Sequence, residues 1–332
     1  MRSFSCGFRV ARAVVLSVSV IAASAAPAAA WGNSGHMASG ALAYDALRRH
    51  DPAAIAVIVR LMAAHPDSAR FTKALAGLSG EARERRLFEL MARWPDDIRG
   101  TPYDRPDWHY ALRVVAPIGS VLSFRVGKAI DQFNAQLAIA RDPAAPAGRR
   151  ALALCWVLHI TGDMHQPLHA GHWWSWRFIK SDRAGTIAFV RAYPTDAPVQ
   201  LHQFWDNAPN RLPEGRFDAE ATNAAQITAR LQVAWPEARL TPATPDALRG
   251  SAANTAFVAW VEESTRLARE VAYTGSALEA SADSATAPAM SGEYSRKMFP
   301  LADQRLAEAS WRIALLLRTL PDVARGPAPQ RS

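Results

Sequence analysis

Two His-x3-Asp pairs constrain this chain more than any other feature of its sequence: His159/Asp163 and His202/Asp206. A spacing of four is just over one helical turn, so each pair sets an imidazole and a carboxylate on one helix face. The first pair opens the run His159-Ile160-Thr161-Gly162-Asp163-Met164-His165-Gln166-Pro167-Leu168-His169. Pro167 cannot continue a helix, so the helix ends before it and His169 sits on the exit, free to point in a new direction. One such pair alone is ordinarily a surface ion pair or a capped core histidine. Two pairs plus a third histidine past a helix end are harder to dismiss in a chain with only 9 histidines. Nitrogen and carboxylate oxygen both suit zinc, and a shared metal is the partner that histidines in apolar surroundings call for.

Two other segments offer ligands. Trp94-Pro95-Asp96-Asp97-Ile98-Arg99 has adjacent carboxylates and an arginine, and Asp107-Trp108-His109-Tyr110 sets a histidine between aromatics. Taken singly, the first reads as acidic first-turn residues of a helix and the second as a satisfied core histidine. His165 reads as structural rather than as a ligand, Cys155 as a small core residue, and His50 and His65 as surface residues.

The N-terminus fixes where the mature chain begins. Arg2, Arg9 and Arg12 precede an apolar run from Ala13 to Ala26, and Ala28-Ala29-Ala30 is a small-residue cleavage pattern. Residues 1–30 thus read as a secretory signal, with export to a periplasm or the medium and a mature start at Trp31-Gly32-Asn33-Ser34-Gly35-His36. Cleavage frees an α-amino group at Trp31 with a pKa of about 8. Zinc can displace that proton, so the amine and carbonyl of Trp31 could chelate, with His36 close behind. No later segment is long and apolar enough to span a bilayer, so no stable membrane association is expected. The signal holds three of the 38 basic residues and leaves 35 against 30 acidic ones, a mild excess that suits an anionic substrate. It also removes Cys6 and leaves Cys155 as the one mature cysteine, so no internal disulfide is available.

Apolar periodicity predicts helices over 39–49, 53–64, 81–92, 122–140, 149–163, 219–233, 255–273 and 293–320. Residues 177–180 and 186–193 are β-like and flank Ser181-Asp182-Arg183-Ala184-Gly185, which predicts a hairpin there. The expectation is an all-α fold with one small β-hairpin: one helical domain over 31–320, with 321–332 a disordered tail and the protein a monomer.

In order along the chain, these motifs resemble the zinc-dependent, single-strand-specific nucleases of fungi and the bifunctional nucleases of plants, relatives of bacterial zinc phospholipase C. The shared pattern is a mature Trp-Gly-x-x-Gly-His start, Trp-x-Asp, Trp-His-aromatic, His-x3-Asp-x-His-Gln-Pro-Leu-His and a final His-x3-Asp. The resemblance spans nearly the whole mature chain and implies three zinc ions. The first would take Asp96, His109, His159 and Asp163. The second would take the amine and carbonyl of Trp31, His36 and the bridging Asp163. His169, His202 and Asp206 would hold the third. Asp96 fits the pattern rather than Asp97 because the family aspartate follows its Trp by two. It further implies attack of a metal-bridged hydroxide on phosphorus, with Asp96 orienting it, Arg99 neutralising the transferring group and Tyr110 stacking a base. The implied activity is hydrolysis of single-stranded DNA and RNA to 5′-phosphorylated products, with 3′-nucleotidase activity. The departures fall at substrate positions: Leu112 stands where the family often has an aspartate, Asp182-Arg183-Ala184-Gly185-Thr186 where it has Asp-x-Gly-Gly-Asn, and Gln200 where it has Asn. A zinc phospholipase C and a non-catalytic, zinc-stabilised helical protein remain alternatives. The phospholipases space the first Trp and His more widely and end the last motif in Glu.

Overall fold

The computed structural model describes residues 31–117, 124–211, 217–240 and 243–324. The expected signal segment, 1–30, and residues 325–332 of the expected tail lie outside the described residues. The helices are α1 (Asn33–His50), α2 (Pro52–Met62), α3 (Ser68–Ala74), α4 (Gly80–Asp97), α5 (Ala129–Arg141), α6 (Ala147–Asp163), α7 (Leu201–Asp206), α8 (Phe217–Ala234), α9 (Ala252–Leu267), α10 (Gly292–Leu317) and α11 (Pro321–Ala324). Short strands β1 (Leu112–Val115), β2 (Arg125–Val126) and β3 (Gly171–Trp173) form one sheet in the order β2-β1-β3. Strands β4 (Phe189–Val190) and β5 (Val199–Gln200) pair antiparallel. The fold is predominantly helical, as the periodicity predicts.

Local chemistry sets the boundaries. Asp51 precedes Pro52 and so is disfavoured in helical conformation, while Pro52 is well suited to the first turn of α2. Arg48, Arg49 and His50 in the last turn of α1 complement the negative end of its dipole. Helix α6 is buried at every position from Ala153 to Asp163, the mark of a helix surrounded by others. It packs against α4 and α5, and α1 packs against α4, α8 and α10. Gly40 permits the close crossing of α1 and α4: a Cβ there would lie 2.2 Å from the Phe88 carbonyl oxygen. That crossing carries His36, one turn earlier on α1, toward Asp96 near the end of α4.

Four expectations need correction. The hairpin lies at β4–β5 and not around 181–185, where Ser181, Arg183, Ala184 and Gly185 all have left-handed backbone. That run makes a compact loop around the buried Asp182 side chain, which accepts the Trp173 amide at 2.8 Å. Helix α5 starts at Ala129 and not at 122, because 125–126 pair with β1 and Gly127 turns the chain at φ +98°. Among the tail residues, Pro321–Ala324 are helical: Val323 is buried in the core and Asp322 pairs with Arg150. His65 is buried, not exposed, edge-on to Phe71 and Trp94. No helix among the described residues is long and apolar enough to cross a membrane.

Candidate metal centre

The candidate ligands converge from six chain segments. His36 comes from the first turn of α1 and Asp96 from the last turn of α4. His109 ends the 3-10 turn Pro106–His109. His159 and Asp163 share one face of α6, and His169 ends a second 3-10 turn, Pro167–His169. His202 and Asp206 lie on α7, whose two ends they nearly define. All eight side chains are buried, most of them completely. Trp31 is also fully buried, and its indole donates to the Gly162 carbonyl at 2.9 Å, one residue before Asp163. The Gly32 amide donates to the Asp206 carbonyl at 2.9 Å, so the start of the described chain is tied to both motifs.

Asp163 is the hub. Its Oδ1 lies 3.3 Å from His36 Nε2, and its Oδ2 lies 3.1 Å from His109 Nδ1 and 3.4 Å from His159 Nε2. Asp96 stands 3.7 Å from His36 Nε2 and 3.8 Å from His159 Nε2. A separate group forms where His202 Nε2 lies 3.0 Å from His169 Nε2 and 3.5 Å from Asp206 Oδ2. Two donors on one tetrahedral zinc, each at about 2.1 Å, are about 3.4 Å apart. The observed separations scatter around that value. Three His/Asp groups are therefore able to hold a metal: His36, Asp96 and His159; His109, His159 and Asp163; and His169, His202 and Asp206.

The ring chemistry supports the fit. His169 Nδ1 is 2.7 Å from the His109 carbonyl and His202 Nδ1 is 2.6 Å from the Ala184 carbonyl. A carbonyl only accepts, so both Nδ1 atoms carry hydrogen and, in neutral rings, both Nε2 atoms are bare lone pairs. Burial pushes His169 well below the usual histidine range and His202 down to about 4, so the rings are neutral. Two lone pairs facing each other at 3.0 Å repel unless a cation lies between them. Likewise His159 donates Nδ1–H to the Ala92 carbonyl at 2.8 Å, which aims Nε2 at the cluster. Both nitrogens of His36 and Oδ1 of Asp163 are buried without a hydrogen-bond partner. Burial, then the neighbouring Asp96, pushes the Asp163 carboxyl well above its usual range. A cation at the cluster reverses that, because it favours the ionised form.

The surroundings are specific. Arg99 Nη2 contacts Asp96 Oδ1 at 2.6 Å. Asp97 faces elsewhere and pairs with Arg93 at 2.8 Å. The Tyr110 ring stacks on His169, with centroids 4.7 Å apart and planes 9° from parallel. Beyond it opens a cavity of about 320 Å³, with Leu112, Phe124 and Val126 on its walls and Lys180 and Arg183 among its polar lining. His165 is turned away, donating to the Thr161 carbonyl and accepting from Arg312. The sequence reading missed Gln166, whose side-chain amide holds Asp206 Oδ1 at 2.8 Å while its oxygen accepts the Leu168 amide at 2.5 Å. Its position just before Pro167, at the cap of a 3-10 turn, was the available signal.

Comparison with known proteins gives the family. A profile of the S1/P1 nuclease family matches residues 31–322. Endonuclease 2 of Arabidopsis thaliana is 26% identical over 206 residues, which cover 59% of this chain and 61% of the relative. Nuclease S1 of Aspergillus oryzae is 28% identical over 176 residues, 52% of this chain and 56% of the relative. In each case less than two thirds of the relative's length is spanned. The match runs from the buried Trp31 into α11, and on that extent the chain belongs to the S1/P1 nuclease family.

Proposed function

We propose that this chain is a zinc-dependent phosphodiesterase that hydrolyses single-stranded DNA and RNA to 5′-phosphorylated products and removes 3′-phosphates from nucleotides. The observation that carries the reading is Asp163, one carboxylate within 3.1–3.4 Å of three imidazole nitrogens from three elements. Asp96, His109, His159 and Asp163 would hold one zinc; the Trp31 amine and carbonyl, His36 and Asp163 a second; His169, His202 and Asp206 a third. When bound, the ions supply Lewis acidity toward phosphate oxygens and water of lowered pKa. Arg99 would neutralise charge on the transferring phosphoryl group; its guanidinium contact with Asp96 at 2.6 Å, at the edge of the cluster, supports that role. Asp96 would orient the attacking water. Export with cleavage before Trp31 and a single catalytic domain over 31–320, acting as a monomer free of membrane, complete the reading.

The purified protein should cut single-stranded DNA and RNA and release phosphate from 3′-AMP, each abolished by a chelator. Cleavage of phosphatidylcholine with no action on nucleic acid would replace this reading with a phospholipase.

Two further outcomes are expected. Tyr110→Ala should weaken nucleotide binding by about 1–3 kcal/mol, the range for loss of one stacked base, with a smaller effect on kcat. Unchanged nucleotide affinity would assign Tyr110 to packing against His169 alone. A chain extended by one alanine before Trp31 presents an amide nitrogen in place of the amine. Its zinc content should fall by about one ion per chain and its turnover by about 10–100-fold, the scale of a lost ligand-shell interaction. Equal zinc and full activity in the extended protein would remove Trp31 from the site.

A further inference from the structure

Strands β1 and β2 pair so that Leu112 faces Val126 and Arg113 faces Arg125. Strand alternation sends these two pairs to opposite faces of the ribbon. Leu112 and Val126 line the cavity beside Tyr110, while Arg113 and Arg125 line a second cavity of about 360 Å³ on the other face. Arg266, near the end of α9, and Arg269, on the π turn that follows, also line that second cavity. Phe124, 44% exposed, lines both cavities.

This basin is electrostatically costly. Like charges directly opposite across a strand pair destabilise it, and here the cross-strand partners are two arginines. Compensation is thin. Glu262 reaches Arg113 Nη1 at 3.4 Å from an exposed position, and Arg266 pairs with Glu270. Arg113 Nε and Nη2 are buried with no hydrogen-bond partner. Guanidinium N–H groups in that state need acceptors, and the planar fork suits a phosphate. The basin is also joined to the metal centre. The carbonyl of Ala170, the residue after His169, accepts both the Arg113 amide at 3.0 Å and the Thr265 hydroxyl at 3.1 Å.

We propose that the Arg113/Arg125/Arg266/Arg269 basin binds a phosphodiester of the same nucleic-acid strand that enters the Tyr110 cavity, with Phe124 standing between the two as a stacking surface. The proposal rests on the nuclease reading for the identity of the strand. It explains why an exposed aromatic stands where the β1–β2 pair sets Leu112 and Val126 on one face and Arg113 and Arg125 on the other: bases and backbone of a single strand part there.

The probe is a fluorescent, all-phosphorothioate dodecathymidylate, which keeps the backbone charge and is cut slowly, titrated by anisotropy into the zinc-loaded protein over a range of salt. Arg125→Ala with Arg269→Ala should lower affinity about tenfold or more and flatten the salt slope by about 1–2, one per lost phosphate contact. Arg60→Ala with Arg149→Ala removes equal charge from exposed positions on α2 and α6 and should change affinity less than about twofold. Equal losses in both double variants would overturn the proposal, since only bulk charge would then matter. So would a basin variant that keeps full affinity and slope while cutting nucleic acid, which leaves the nuclease reading intact. If the basin arginines govern binding of inorganic phosphate but not of the strand, the basin is a free-anion site and the proposal fails. Basin-dependent strand binding by a protein that cuts nothing supports the basin and sinks the nuclease reading instead.

Discussion

Asp163→Asn should lower turnover on single-stranded DNA by about a thousandfold or more, with little change in fold. The side chain keeps its volume, so packing around the last turn of α6 is preserved. What changes is charge. Asp163 is completely buried and faces His36, His109 and His159, and its Oδ2 is 3.9 Å from His169 Nδ1. A neutral amide cannot bridge two cations as a carboxylate does, so in the proposed arrangement both ions of the close pair would lose a ligand at once. Loss of a supporting interaction alone costs about 10–100-fold in metal affinity or activity, and loss of a shared ligand costs more than either site separately. Metal analysis should find about one zinc per chain, retained by His169, His202 and Asp206. Asp97→Asn is the control, because Asp97 pairs with Arg93 and not with the cluster. A variant at Asp163 that retained three zinc ions and a tenth of the activity would show that the carboxylate does not bridge.

The parts of this site that were legible in the sequence are those with local spacing. The i, i+4 pairs at 159/163 and 202/206 fix a shared face whatever the rest of the fold does. Pro167 fixes the helix end. Helices whose apolar positions recur every three to four residues, such as α1, α4 and α6, were legible for the same reason. Non-local pairing was not. The β1–β2 ribbon has two residue pairs in register, far too few to show alternation in a single sequence. The loop around Asp182 resembled a hairpin turn because its Gly and Ser suit one, yet its consecutive left-handed residues exist only because a buried carboxylate and His202 organise them. His65 read as surface because a histidine carries no sign of its neighbours. In the fold, Phe71 and Trp94 close over it, and burial holds its pKa down at about 4. The carbonyls of Ala92, His109 and Ala184, which set the tautomers of three candidate ligand histidines, have no side-chain signature at all.

That last group joins fold to metal binding, and it sets the expected response to metal removal. In the apo protein three buried rings remain fixed by backbone carbonyls with their free nitrogens converging. His169 and His202 are held 3.0 Å apart, lone pair to lone pair, and Asp163 is pushed toward its protonated form. Among the described residues no disulfide offsets this, since Cys155 is their one cysteine and is buried as a free thiol. An ion present at about a thousand times its dissociation constant stabilises the native state by about 4 kcal/mol. The three proposed ions would together contribute about 12 kcal/mol, and a domain of this size shifts by about 2 °C per kcal/mol. Exhaustive chelation should therefore lower the melting temperature by about 25 °C and abolish turnover, and zinc should restore both. Calorimetry of the zinc-loaded, chelated and reconstituted forms makes the comparison. The order of loss is informative as well. The Asp163 cluster is built mainly on the core helices α1, α4 and α6, with His109 alone on a 3-10 turn, whereas the His169 cluster leans wholly on a 3-10 turn, the Asp182 loop and the six-residue α7. Less structure is held elsewhere by those short elements, so stripping the third ion should loosen the 181–206 segment first, seen as early loss of amide protection there. A chelated protein that melted within a degree or two of the loaded one would mean that the converging imidazoles are tolerated by packing alone, and that metal serves the chemistry without holding the fold.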